Sequence, residues 1–303
     1  MISLSTSAFY DRSTQQLTSL RDKAASLQQQ ISTGERLERS SDDPVAAARL
    51  RMLSRSEALA KVDTRSSQVA ETNLTMSDDT LSSITDVINR ARELAVQGSS
   101  ETLNDDQRKA IGAEIQSLHD NLVTLANSRD PQGNALFGGE GGGMAYTLNG
   151  GTVTFTGTTN VTPIEIGDGQ TVTPALTGPE VFNFNGPNGA TDLFSVLSNL
   201  AAALNAGGST ATAGSKDALG QLDSGLDKVT TAQTMIGTRL NWVDVMSNRR
   251  IANADRVAQE KSDVGGADIG VTISKLQETM TVLEASQSSF ARLANLSLFS
   301  ILR

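Results

Sequence analysis

Residues 267–303 read ADIGVTISKLQETMTVLEASQSSFARLANLSLFSILR. Within this stretch Ile269, Ile273, Leu276, Met280, Leu283, Gln287, Phe290, Ala294, Ser297 and Ile301 follow one another at alternating steps of four and three. A 3.5-residue period marks a helix that lies along another helix. No Pro interrupts the stretch and no Gly follows Gly270. At 1.5 Å per residue it predicts a helix roughly 55 Å long. One narrow stripe cannot bury itself, so the segment requires a partner.

A matching stripe stands at the other end of the chain. Tyr10, Leu17, Leu20, Ala24, Leu27 and Ile31 keep the same spacing, with Ser13 in the missing position. Two readings are open at this point. The segments are either two ordinary amphipathic helices on a globular core, or the two termini pair as a coiled coil. Both stripes are softened by Ala, Ser and Gln, which fits packing that neighbouring molecules complete.

Composition narrows the function classes. The 303 residues are 38% hydrophobic but only 4% aromatic, which favours long helices with small side chains over one thick aromatic core. A formal net charge of -9 argues against nucleic acid, whose binding draws on a basic footprint. The adjacent basic pair Arg249-Arg250 reads as a solvated helix face. With no Cys and one His, disulfides, thiolate chemistry and multi-histidine metal sites are excluded. No apolar run is long enough to span a bilayer. Met1-Ile2-Ser3-Leu4-Ser5 lacks the basic and apolar regions of a cleavable signal. The expectation is a protein that stays in the cytosol or leaves by a route that reads no such signal, with no membrane partner.

Between the two seams the chain divides in order. The first helix is expected over about 7–33, ended by Gly34. Asp43-Pro44 is a strong helix start, with Asp43 as N-cap and Pro44 at the first helical position. The helix that follows should run to about Gln97. Its stripe is Leu59, Val62, Val69 and Met76, continued with drift by Leu81, Ile84, Ile88, Ala91 and Ala95. Asn104 and Gln107 form a capping box ahead of Ile111, Ile115, Leu118, Leu122 and Leu125. His119 flanks that stripe and is expected to be partly exposed.

From Asn134 the character changes. Gly138-Gly139-Glu140-Gly141-Gly142-Gly143 lacks both the Lys-Ser/Thr of a phosphate loop and the spacing of a dinucleotide fingerprint, so no cofactor is expected. Tyr146–Leu148 and Thr152–Phe155 flank Asn149-Gly150-Gly151, a hairpin signal. Pro163–Ile166, Thr171–Thr173 and Val181–Phe184 are further strand candidates. Helix returns at Asp192 with Leu193, Val196, Leu197, Leu200 and Leu204. A flexible run follows over 205–215, then a long helix from Lys216, with Trp242 in its core, and a hinge at Asp263-Val264-Gly265-Gly266.

The fold class is therefore mainly α: a long-helix coiled-coil or bundle rod formed by both chain ends, with a small β-rich inserted domain. The expected division is a terminal coiled coil (1–42 with 263–303), a long-helix bundle (43–137 with 191–262) and a β-rich outer insertion (138–190). The Gly-rich flanks suggest that the insertion is dispensable for the helical body.

Ile31-Ser32-Thr33-Gly34-Glu35-Arg36-Leu37, followed by Ser41-Asp42-Asp43-Pro44, resembles the N-terminal signature of the bacterial flagellin superfamily. Leu283-Glu284-Ala285-Ser286, Phe290-Ala291-Arg292-Leu293 and Leu296-Ser297-Leu298-Phe299 are similar to its C-terminal end, and Ile236-Gly237-Thr238-Arg239-Leu240-Asn241 also fits. The resemblance covers both outer thirds of the chain and hardly touches the insertion. Asp-Asp-Pro resembles the branch at the junction of hook and filament. Arg90–Gln97 and Ile301-Leu302-Arg303 look more like the filament subunit.

The resemblance implies a non-catalytic structural protein of the flagellum, outside the cell, that joins hook to filament by self-assembly. The implied partners are other copies of itself, the adjoining axial proteins including flagellin, and an export chaperone. The assembly seam would be Tyr10, Leu17, Leu20, Ala24, Leu27, Ile31, Ile269, Ile273, Leu276, Met280, Leu283, Phe290, Ala294 and Ile301. The alternatives are a filament flagellin and a cytosolic coiled-coil scaffold. An enzyme on the insertion would have only scattered acids to work with, Glu140, Glu165, Asp168 and Glu180.

Overall fold

Long unbroken runs of helix-forming residues become long helices. The computed structural model describes the backbone of residues 3–301 and the side chains of residues 8–292. The elements run α1 (Ser3–Thr33), α2 (Pro44–Gly98), α3 (Asp105–Ala126), β1 (Tyr146–Asn149), β2 (Thr152–Phe155), β3 (Ile164–Gly167), β4 (Gln170–Val172), α4 (Gly178–Phe182), β5 (Asn183–Gly186), β6 (Gly189–Asp192), α5 (Leu193–Ala206), α6 (Gly208–Gly265) and α7 (Ile269–Ile301). The chain divides into two compact units. One is Met1–Leu59 with Ala252–Arg303, the other Ala60–Ile251. The long helices α2 and α6 contribute a stretch to each.

In the first unit α1 lies along α7. Gly34 ends α1 in the left-handed conformation (φ 70°), which a glycine adopts without steric cost, and its N–H closes on the Gln30 carbonyl at 2.9 Å.

The second unit holds one continuous apolar core. Asn104 and Gln107 start α3 by exchanging bonds: Gln107 N–H donates to Asn104 Oδ1 at 2.8 Å and Asn104 N–H to Gln107 Oε1 at 3.1 Å. Asp192 starts α5 by accepting from Ser195 N–H at 2.9 Å. The two helices pack through Ile111, Ile115 and Leu122 of α3 and Leu193, Val196, Leu197, Leu200 and Leu204 of α5, all buried.

Three antiparallel hairpins, β1–β2, β3–β4 and β5–β6, decorate this unit as separate two-stranded sheets. None is independently stable at that size, so each borrows the helices' core. Tyr146 of β1 meets Phe182 of α4 at 5.3 Å between ring centroids and Phe194 of α5 at 4.8 Å. Phe182 also meets Phe137 at 5.8 Å and Phe194 at 5.0 Å. Asn127, just past α3, holds the β1 edge with both side-chain ends, donating to Tyr146 O and accepting from Tyr146 N–H, each at 3.0 Å. Arg239 of α6 donates to the Thr173 and Ala175 carbonyls at 3.2 and 2.8 Å, and Arg250 donates to the Ile166 carbonyl. Burial lowers the Arg239 pKa, with Glu180 acting weakly against the shift.

The inserted segment thus shares the core of the helical body, which argues against its expected dispensability. Four further expectations need correction. Arg250 is not on a solvated face, because it clips β3 to α6. His119 is 2% exposed, turned edge-on to Phe194 at 6.4 Å. Val181-Phe182 are helical, because Pro179 near the N-terminus of α4 and the Thr177–Glu180 capping box favour a turn of helix there. Residues 208–215 are helical too. The small residues that suggest flexibility instead allow close packing, since a Cβ on Gly214 would stand 2.4 Å from Ala203 Cβ.

The stripe expected on α2 also shifts. Leu59 and Val62 are 57% and 61% exposed and Val69 is exposed, while Ser67, Ala70, Leu74 and Ser77 face inward. Ser77 turns its hydroxyl onto the Asn73 carbonyl of its own helix at 2.8 Å, which lets a serine sit on the buried face. Trp242 likewise is 36% exposed rather than core, beside buried Val243 and Met246.

The aromatic cluster generates a test. Phe182→Ala should destabilise the second unit by about 3–5 kcal/mol, the range for emptying a buried phenylalanine site. Closing residues 138–190 with a Gly/Ser linker should abolish the unit's cooperative unfolding, followed by circular dichroism in urea. A linker variant that unfolds like the parent would show that the hairpins are passengers.

Candidate assembly interface

The α1 stripe is buried as a set. Tyr10, Ser13, Leu17, Leu20, Ala24, Leu27 and Ile31 are all partly or fully covered, whereas most residues between them are exposed. At one end of the pair the Tyr10 and Phe290 rings meet edge to face at 5.5 Å.

On α7 the covered line differs from the apolar stripe. Leu276, Leu283 and Phe290 belong to both. The other covered positions are Thr272, Thr279 and Ser286. Ile269, Ile273 and Met280 are 40%, 40% and 52% exposed, and Gln287 is exposed as well. The physical reason lies in size and in hydrogen bonding. Thr272 and Thr279, both buried, send their hydroxyls back to the Asp268 and Lys275 carbonyls of their own helix, each at 2.7 Å. Smaller side chains allow the two backbones to come close. The helix therefore has two faces sharing Leu276, Leu283 and Phe290: a soft face against α1 and a more apolar one turned outward. The side chains of Ala294, Ser297 and Ile301 lie outside the described residues.

In the same unit Val45, Met52 and Leu59 of α2, seven residues apart, are also exposed. Regularly spaced apolar residues that a helix leaves uncovered are the mark of an interaction surface more than of scatter.

The segments joining these helices are tied by main-chain bonds. Glu35 and Gly266 form an antiparallel bridge, with Arg36 N–H donating to Gly265 O at 2.7 Å and Ala267 N–H to Gly34 O at 2.8 Å. Arg36 adds its side chain, donating to Val264 O at 3.0 Å and to Asp43 Oδ2 at 3.3 Å. Asp43 in turn accepts from Ala46 N–H at 3.0 Å, as the N-cap of the helix that Pro44 opens. The run from Gly34 to Pro44 is thus a clamp between the end of α1, the start of α2 and the turn before α7. Residue pattern alone did not single out Arg36; its place in the run quoted above was the one signal. Two ion pairs, Arg49–Glu260 at 2.5 Å and Glu57–Lys261 at 2.8 Å, join α2 to α6 nearby, exposed enough to add little stability.

Among the described residues no group of three or more His, Cys, Asp or Glu side chains is placed to hold a metal ion, and no helix is long and apolar enough to cross a membrane.

Residues 4–141 match the family model for the bacterial flagellin N-terminal helical region. Over nearly its full length it is similar to two curated relatives, both named flagellar hook-associated protein 3. That of Escherichia coli strain K12 is 28% identical, with 98% of each chain covered. That of Salmonella typhimurium strain LT2 is 26% identical, with 99% of each covered. The solved structure of flagellar hook-associated protein 3 from Legionella pneumophila covers 75% of this chain and 99% of its own, with a TM-score of 0.63 at 16% identity, a likeness of fold.

The Asp43 clamp carries a pH signature. The Ala46 N–H, and after it the Arg36 guanidinium, hold the Asp43 carboxyl below its ordinary 3.8. A carboxylate with a lowered folded pKa stabilises the fold above its unfolded value, and that contribution is lost as pH falls through the folded one. Asp43→Asn keeps the capping acceptor and removes the charge. Its melting temperature should lie below the parent's at neutral pH, and the gap should close in acid below 3.8. A gap that is the same at all pH values would show that the charge does not act there.

Proposed function

We propose that this chain is a structural subunit of the bacterial flagellum that joins hook to filament by assembling with copies of itself through its terminal helices. The observation that carries the proposal is the two-faced α7 helix. It spends its smaller side chains on the intramolecular pair with α1 and leaves Ile269, Ile273 and Met280 for another surface. Full-length similarity to two hook-associated proteins 3 favours the junction over the filament. The same reading makes the adjoining hook-associated protein and flagellin its neighbours along the axis, an export chaperone its partner before assembly, and the cell exterior its place of work. It involves no catalysis, and it keeps the three-part division of terminal coiled coil, helical bundle and inserted hairpins as regions of different duty.

Met280→Asp tests the outer face without disturbing the inner one. The variant should melt like the parent, since Met280 is half exposed, and should fail to bind hook ends seen by electron microscopy. Leu283→Asp, at a buried position shared by both faces, should lower both stability and binding. Incorporation of Met280→Asp at the parent level would overturn the assembly role of that face. Long polymers grown by the purified parent chain alone would favour a filament subunit.

A further inference from the structure

The insertion carries three Asn-Gly pairs: Asn149-Gly150, Asn185-Gly186 and Asn188-Gly189. Each is chemically able to deamidate, because glycine has no Cβ to hinder attack by its amide nitrogen on the preceding side chain. The register of the hairpins separates them.

In β5–β6 the closing pair is Gly186↔Gly189 across a two-residue turn. The closing pair of such a hairpin exchanges its N–H and C=O groups across the ladder. Both potential nucleophiles, the amide nitrogens of Gly186 and Gly189, are therefore donors to each other's carbonyls. Asn188 is further restrained, its Nδ2 donating to Asp217 Oδ1 of α6 at 2.5 Å. In β1–β2 the register is offset by one residue relative to the Asn-Gly pair. The closing pair is Asn149↔Thr152, and Gly150 stands in the turn, outside the ladder. Gly150 and Gly151 both have positive φ, 58° and 87°, and nothing would crowd a Cβ on either. Asn149 and Gly150 are exposed to water.

We infer that Asn149 is a spontaneous modification site, the position in this insertion where an asparagine converts to aspartate and isoaspartate. Gly150 N gives its proton to solvent and bonds to Asn149 Cγ. The Cγ–Nδ2 bond breaks, and Nδ2 leaves as ammonia with a proton from water, forming a five-membered succinimide. Water then adds to one of the two ring carbonyls and opens the ring. The exchange of ammonia for water leaves one new carboxylate, and opening at the other carbonyl adds a methylene to the main chain. The isoaspartate product breaks the Asn149↔Thr152 pair at the tip. It leaves the Tyr146↔Phe155 end in place, because Tyr146 is buried in the aromatic cluster. Ageing therefore adds negative charge to an exposed hairpin tip without unfolding the unit beneath it.

Incubation of the intact full-length chain in warm, mildly alkaline buffer, followed by peptide mass mapping and isoaspartyl methyltransferase labelling, tests this. Asn149 should convert several-fold faster than Asn185 and Asn188. In concentrated urea, where the ladders are lost, the three rates should converge. Gly150→Ala should slow conversion at Asn149 and leave the other two unchanged. Equal rates at the three sites in the folded chain would overturn the inference. So would a preference for Asn149 that persists in urea, which would place its origin in local sequence and not in hairpin register.

Discussion

The α1–α7 pair is the contact on which the terminal unit depends, and it is a thin one. Along the described part of α1 only Ala24 and Leu27 are buried hydrophobics, and along the described part of α7 only Leu283. Burying a methylene contributes about 0.8 kcal/mol. Fixing each residue's backbone costs about 1–2 kcal/mol. A pair of helices joined by a seam of Ala, Ser, Thr and a few Leu is therefore close to balance by itself. The main-chain bridge between Glu35 and Gly266 holds the ends of the two helices in register, but it adds few buried atoms. Covering Ile273 and Met280 with another helix would supply the apolar burial that the intramolecular seam lacks.

The second unit has the opposite character. Its core runs from Ala70 to Met246 without a break, and Phe137, Tyr146, Phe155, Phe182 and Phe194, in a chain poor in aromatic residues, gather in one place within it. That cluster explains how β1–β2, too small to fold alone, is held, while Arg250 holds β3. It also explains the buried environment of Tyr146, whose phenol is pushed well above its ordinary value by burial and, to a lesser degree, by Asp192. A firm body and soft ends within one chain suit a subunit that should be folded before it meets its neighbours yet should not polymerise prematurely.

Much of this was legible in the residue pattern. Both terminal helices, the starts at Pro44 and Asn104 and the β1–β2 hairpin follow from spacing and punctuation, whereas the break expected over Asp263–Gly266 comes later, because α6 runs through Gly265. What escaped was which face of a helix turns inward. Hydropathy pointed to Val69 on α2 and to Ile273 and Met280 on α7, and in each case a smaller residue beside it, Ala70, Thr272 or Thr279, was buried instead. A stripe of Ser, Thr and Ala looks polar on a hydropathy scale, because the scale counts hydroxyls that in a helix can bond back to their own backbone. The same blindness hid the helix over 208–215, where Gly and Ala read as a loop. The burial of His119 and the clipping of β3 by Arg250 depend on elements distant in sequence, which no local pattern reports. Arg36 was visible as part of a motif, but its bridging of Val264 and Asp43 was not.

The central claim is that the terminal pair is incomplete until neighbouring copies cover its outer face. Hydrogen exchange of the full-length chain, measured by mass spectrometry on a verified monomer and again after incorporation at hook ends, tests it directly. The account predicts rapid exchange across Leu17–Ile31 and Leu276–Phe290 in the monomer and strong protection of both after assembly. Strong protection of both stretches in the monomer, unchanged on assembly, would contradict it.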